Sequence, residues 1–169
     1  MTNEAHQSGT DRCFEAMALQ KEAFDYVINI QGDEPFINPE QITQLANLLD
    51  GTTQLATLVK TIETAEEIFN PNVVKAIFKA NGDAIYFSRN PIPFGRNHEQ
   101  LSWHKNHTYY KHIGIYAYRS DVLKQITALS VSLLEKAESL EQLRWIENNY
   151  TIKTAITHYN SIGIDTPED

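Results

Sequence analysis

Asp33 is the first residue in this sequence whose type and setting point to chemistry. It follows the short β-branched run 27–30 and stands between Gly32 and Pro35. Gly32 has no side chain, so a ligand or another backbone can come close. Pro35 cannot donate a ladder hydrogen bond and holds Glu34 extended. The carboxylate is therefore expected at the carboxyl edge of a central strand, where open α/β sheets put their ligands. Its hard oxygens suit Mg²⁺. A turn aspartate that caps the next element would look the same, and both uses stay open.

Three further groups stand out. In the run 109–118, period two sets Tyr110, His112, Gly114, Tyr116 and Tyr118 on one strand face and Ile113, Ile115 and Ala117 on the other. Rings and hydroxyls of the first kind suit a sugar pocket, and equally an interface between proteins. On a long helix expected over 133–148, Glu138, Glu141 and Gln142 share a face, and Arg144 lies one turn past Glu141 where the two can pair. Near the start, Ser8-Gly9 precedes a helix for which Thr10 is the expected N-cap. Free N–H groups there suit an anion or a base edge, although simple capping is the commoner use. His98, His104 and His107 lie in a polar stretch with no supporting helix and no intervening Glu, and read as solvated rather than as zinc ligands.

These groups need a scaffold to hold them. The run 27–30 lacks polar alternation and reads as a strand buried on both faces, the kind found in parallel sheets. Asn38-Pro39-Glu40-Gln41 is a helix start, and Ile42, Leu45, Leu48 and Leu49 give that helix its apolar face. Residues 55–62 read as a strand, Thr64 opens a short helix, and Asn81-Gly82 joins 73–78 and 84–87 as a hairpin. Ser120 is expected to cap a short helix. Leu133, Leu134, Ala137, Leu140 and Leu143 are expected to make the core stripe of the long one, and 152–159 is the last strand.

The whole chain bounds what such a site can do. Its 169 residues suffice for one domain with a real core. A formal charge of −8 argues against broad nucleic-acid binding, since no excess of cations is available for phosphates. No apolar run spans a bilayer and no signal peptide is recognisable, so no membrane partner is expected. The lone Cys13 fits a reducing cytosol, and a cytoplasmic location is expected.

Six motifs occur in order: His6-x-Ser8-Gly9-Thr10-Asp11-Arg12, Gln31-Gly32-Asp33-Glu34-Pro35, Tyr86-Phe87-Ser88-Arg89, His112-Ile113-Gly114-Ile115-Tyr116, Leu140-Glu141-Gln142-Leu143-Arg144 and Gly163-Ile164-Asp165-Thr166-Pro167-Glu168-Asp169. Together they resemble the 3-deoxy-manno-octulosonate (KDO) cytidylyltransferases, or CMP-KDO synthetases. The resemblance implies a three-layer α/β sandwich of the nucleotide-diphospho-sugar transferase type around a mostly parallel mixed sheet, and a homodimer. It implies transfer of CMP from CTP to KDO, with pyrophosphate released, for lipopolysaccharide synthesis. On this resemblance Asp33 and Asp165 are the catalytic carboxylates that hold Mg²⁺. Ser8, Gly9 and Arg12 lie near the nucleotide, and Gln31, Arg89, His112, Tyr116, Glu141 and Gln142 form the sugar-side wall. Relatives begin with a strand and a basic, Gly-containing loop for the triphosphate. Nothing here matches it, and the last residues resemble a helix that starts and stops. The chain is therefore expected to be a single domain, 1–169, cut short at both ends, and inactive by itself. A cytidylyltransferase for another acid sugar, and a non-catalytic sugar-binding or self-associating fragment, are the rival readings.

Overall fold

The computed structural model describes residues 2–4, 6, 8–32 and 37–159. In chain order the elements are α1 (Gly9–Ala18), β1 (Tyr26–Asn29), α2 (Pro39–Ala46), β2 (Leu55–Thr61), α3 (Ala65–Phe69), β3 (Lys75–Phe78) and β4 (Ala84–Ser88). After a 3₁₀ turn at Gln100–Ser102 come α4 (Trp103–Asn106), β5 (Tyr110–Arg119), α5 (Ser120–Ile126), α6 (Leu133–Glu138), α7 (Gln142–Glu147) and β6 (Ile152–Thr157).

The sheet runs β4-β3-β5-β2-β6, with β1 also paired to β5. β5 is its axis. On one side β2 follows β5 along its length; on the other, β3 pairs with Lys111 and Tyr110 while β1 pairs with Tyr116 to Arg119. Between those two partners the edge of β5 is shared by no single strand. The expected three layers are present. Above the sheet, α1, α5 and α7 bring Phe14, Met17, Leu123, Leu143 and Trp145 onto Tyr116, Tyr118, Leu55 and Val59. Below it, α2 packs Leu45 and Ile42 against Ala56, Leu58, Ile113 and Ile115. The alternation along β5 therefore serves both layers, as period two dictates.

The balance of strand directions is corrected. Of the five strand pairings, only β2–β6 is parallel and the other four are antiparallel. The Asn81-Gly82 hairpin imposes one of these, with Gly82 at φ +87° where a side chain would be strained. β5 opposes β1, β2 and β3. β1 is half-buried rather than sealed on both faces.

Local signals explain most helix ends. Asn38 and Gln41 form the expected capping box of α2, and Thr64 caps α3. Two caps differ from expectation. Ser8, not Thr10, is the N-cap of α1, accepting from the Asp11 N–H at 3.1 Å. Arg119, without a side-chain cap bond, precedes α5, and Ser120 instead donates to the Phe24 carbonyl. The polar stretch 96–108 is also less irregular than expected, because Trp103 is buried and anchors it by donating to the His98 carbonyl at 3.0 Å. Gly95 passes so close that a Cβ would lie 2.7 Å from the Trp103 ring. Gly95→Ala is accordingly expected to destabilise the fold by about 1–3 kcal/mol through overpacking, read as a lower urea midpoint at unchanged slope.

The largest correction concerns the long helix. It is two helices, α6 and α7, separated by Ser139 in the left-handed conformation at φ 53°, ψ 48°. Glu138 causes the break to be useful: its carboxylate accepts from Ser88 Oγ at 2.7 Å and from the Arg89 N–H at 2.9 Å. The turn then drives Leu140 into the core and leaves Leu133 80% exposed, so the expected stripe is only half right; Ala137 is exposed too.

Candidate active site

A cleft of about 980 Å³ opens where β1 and β3 part company along β5. Its floor is the polar face of β5, His112, Gly114 and Tyr116. One wall is α1 with Gly9 and Arg12, and another is the turn into α7 with Glu141 and Gln142. Gln31 and Gly32 follow β1 into it, and Arg89 enters from the end of β4. Gly9 and Arg12, expected near a nucleotide, thus share one space with Gln31, Arg89, His112, Tyr116, Glu141 and Gln142, expected on the sugar side. Ser8 does not line the cleft. Its hydroxyl caps the helix and also reaches Glu141, and it borders a neighbouring pocket of about 560 Å³ on the far side of Glu141. Asp33 and Asp165 lie outside the described residues.

Arg89 is held on every side. Its Nε donates to the Glu138 carbonyl at 2.7 Å, Nη1 to the Pro71 carbonyl at 3.1 Å and Nη2 to the Ser139 carbonyl at 3.4 Å. The α6–α7 break supplies two of those acceptors, so the guanidinium is fixed by the same feature that aims Glu141 and Gln142. Behind it, Lys75 is fully buried and donates to the carbonyls of Asn70 at 3.0 Å, of Val73 at 2.5 Å and of Arg89 itself. Burial pulls the Lys75 ammonium down to about 8, which leaves it charged at neutral pH.

Glu138, Glu141 and Gln142 do not share a helix face. The break at Ser139 sends Glu138 to β4, while Glu141 accepts from Thr10 Oγ1 at 2.7 Å and so ties α7 to α1. Burial raises the Glu141 carboxyl above its ordinary range despite that bond. Arg144 pairs not with Glu141 but with Glu135, in two parallel contacts of 2.7 and 2.5 Å across the break. Gln142 is only 6% exposed and its side-chain amide makes no hydrogen bond with other described residues, which leaves it for a ligand.

The floor is aromatic. Tyr116 stacks on Tyr118 with centroids 6.0 Å apart, and both meet the edge of Trp145. Burial raises both tyrosine hydroxyls, so each stays protonated. Tyr118 lies 3.4 Å from Thr10 Oγ1 and 3.4 Å from Asn29 Nδ2. The Tyr116 hydroxyl and the Trp145 indole N–H are buried without partners among the described residues. Such groups in a site are commonly completed by ligand or water. Burial also pulls His112 down to about 4, so its ring is neutral near pH 7 and offers one donor and one acceptor.

Thr10, Asn29 and Trp145 belong to the cleft and were not expected as site residues, and Tyr118 joins them there. Tyr118 shares the expected β5 face, so alternation alone pointed to it. Trp145 sits one turn from Gln142, but an apolar helix position gives no sign of which side it serves. Among the described residues no group of three or more His, Cys, Asp or Glu is placed to hold a metal ion, and the three loop histidines form no such group.

Residues 1–154 match the family described as cytidylyltransferase. The chain is 59% identical over 165 residues to the 3-deoxy-manno-octulosonate cytidylyltransferase of Cytophaga hutchinsonii, covering 97% of this chain and 66% of that protein. It is 57% identical to the protein of the same name from Bacteroides thetaiotaomicron, over 100% of this chain and 69% of that one. Among solved structures, CMP:2-keto-3-deoxy-manno-octonic acid synthetase complexed with CTP superposes with a TM-score of 0.89 at 42% identity, covering 99% of this chain and 67% of that chain. A 4-diphosphocytidyl-2C-methyl-D-erythritol synthase from Anaerococcus prevotii shares the fold at a TM-score of 0.56 and 14% identity. The chain spans about two thirds of the length of the curated relatives it matches.

Proposed function

The chain belongs to the cytidylyltransferase family, and from that premise we propose that its cleft serves the transfer of CMP from CTP to KDO, giving CMP-KDO and pyrophosphate. One observation carries the reading. Residues expected at the nucleotide and residues expected at the sugar come from five separate segments of the chain, yet line one continuous cleft. The relatives named for this activity, and the CTP complex of one of them, support the same assignment.

The reaction is an in-line displacement. The anomeric oxygen of KDO attacks the α-phosphorus of CTP, its proton leaves, and pyrophosphate departs from the opposite face. Positioning and charge neutralisation supply most of the catalysis. Gly9 and Arg12 border the nucleotide end. Arg89, immobilised by three carbonyls, turns its remaining N–H groups to the acid sugar's carboxylate, a pairing that favours a planar guanidinium. Gln142 offers an amide to sugar hydroxyls, and the rings of Tyr116 and Trp145 give an apolar surface for the sugar. Asp33 and Asp165 would hold Mg²⁺, and the ion would neutralise phosphate oxygens. Their oxygens are the donors a hard cation takes. Gly32, the residue before Asp33, lines the cleft with open space beside it.

Cytoplasmic action in lipopolysaccharide synthesis, and a homodimer, complete the proposal. Phe94 and Leu101, 73% and 78% exposed, offer apolar surface for a second copy. No helix among the described residues is long and apolar enough to cross a membrane.

Pyrophosphate release from CTP by the full-length protein, measured with Mg²⁺ and a panel of acid sugars, tests the function. KDO should be turned over well above sialic acid; preference for another sugar, or no release, would refute the assignment. In the same assay Gln142→Ala should raise the KM for KDO about tenfold, the loss of roughly one hydrogen bond, and leave that for CTP nearly unchanged. Equal losses for both would mark Gln142 as structural.

A further inference from the structure

Thr57 lies on β2, fully buried beneath the cleft floor, and nothing in its sequence context marks it for function. Its Oγ1 is 3.0 Å from His112 Nε2, 2.7 Å from the Ile115 carbonyl oxygen and 3.2 Å from the Ile113 carbonyl oxygen. The sheet is irregular here for a reason that matters. Thr57 pairs with Tyr116 and the next residue, Leu58, with Ile113, so Gly114 and Ile115 are extra residues bulged out of β5. A bulge of this kind re-aims groups next to a site, and here two carbonyls converge on a single hydroxyl.

That hydroxyl has one hydrogen. With two carbonyl oxygens within reach, the hydrogen goes to the nearer, Ile115. The lone pairs that remain can only accept, so the third neighbour, His112 Nε2, must carry a proton. We propose that Thr57 is a positioning residue that locks His112 as the Nε2–H tautomer, leaving Nδ1 as the acceptor that selects a hydroxyl of the sugar substrate. No described residue hydrogen-bonds to Nδ1, and the ring lines the cleft. The ring is also braced by the edge of Phe87 at 5.3 Å and by Tyr116 at 5.1 Å between centroids, so turning it to exchange its nitrogens would disturb both contacts. A neutral ring, favoured by burial, is the form in which a nitrogen accepts. The sugar in this inference rests on the function proposed above, whereas the tautomer does not.

The two are separated by experiment. Nitrogen-15 NMR of the full-length protein without substrate reads the tautomer directly, whatever sugar the enzyme takes. The Nε2–H form is expected for His112, and an Nδ1–H form would overturn the proposal. In steady-state kinetics, Thr57→Val removes the acceptor and is expected to raise the KM for KDO about tenfold with the KM for CTP unchanged and the His112 signals shifted or averaged. Thr57→Ser keeps the hydroxyl and should restore both. Unaltered His112 signals in Thr57→Val, equal losses for CTP and KDO, or failure of the serine variant to rescue would each refute the positioning role. Should Thr57→Val fail to fold, the wild-type spectrum and the serine variant still decide.

Discussion

Replacing Lys75 with methionine is expected to cost the protein about 3 kcal/mol or more, since leaving buried acceptors unpaired costs about 1–3 kcal/mol each. Methionine nearly matches the lysine stem in volume, so the packing of β3 survives and the loss falls on the ammonium. The carbonyls of Val73 and Arg89 then lose a donor, while that of Asn70 keeps the Val73 N–H at 3.1 Å. Relief from burying a charge offsets part of this, because removal of a buried ion need not be wholly unfavourable. For a chain of this size each kcal/mol lowers the melting temperature by about 2–4 °C, so a fall of roughly 6–12 °C is expected. The effect should reach the cleft as well. The Arg89 carbonyl is pinned by Lys75 and its N–H by Glu138, and the guanidinium emerges between those anchors. Activity of the folded fraction should therefore fall through KM for the acid sugar. A melting temperature within about 1 °C of the unaltered protein would show that Lys75 carries no such role.

Asp33→Asn in the full-length protein is expected to lower kcat by about 10²–10³, the loss typical when one positioned charge-stabilising group is removed. The amide keeps the size of the side chain and loses its charge, so the fold should be untouched while the affinity for Mg²⁺ drops. Pyrophosphate release at saturating CTP, KDO and Mg²⁺ measures the effect, and circular dichroism controls for folding. Near-native turnover would remove Asp33 from the catalytic machinery.

Parts of this architecture are written in local pattern and parts are not. Alternation along β5 separates Ile113, Ile115 and Ala117 from His112, Tyr116 and Tyr118, because a strand has only two faces and each must meet a different layer. The hairpin at Asn81-Gly82 and the capping box at Asn38 are likewise short-range chemistry. Strand direction is different. An apolar run of four residues looks the same whether its neighbour runs parallel or antiparallel, so the run 27–30 suggests a parallel strand while β1 runs antiparallel to β5. Ser139 shows a second limit. Serine carries no mark for the left-handed conformation, and the partners that reward the break, Ser88 and Arg89, lie about fifty residues away. Thr10 shows a third. Ser8 and Thr10 are both good caps; in the fold Ser8 takes the cap while the Thr10 hydroxyl donates to Glu141, 131 positions along the chain.

The pairing of β1 with β5 also has a consequence for synthesis on the ribosome. Tyr26 meets Arg119 and Asn29 meets Tyr116, and β5 is the only strand with which β1 pairs among the described residues. About ninety residues must be added after β1 before its partner exists. At synthesis rates of about 5–20 residues per second the wait is roughly 5–18 s. Throughout it the run 26–29 lacks the one strand it pairs with among the described residues, and an unpaired apolar strand is a template for wrong partners. Strand β2 is in the same position, since β5 and β6 both follow it. Codon changes that delay translation between α2 and β5 are therefore expected to lower the soluble yield without altering a single side chain.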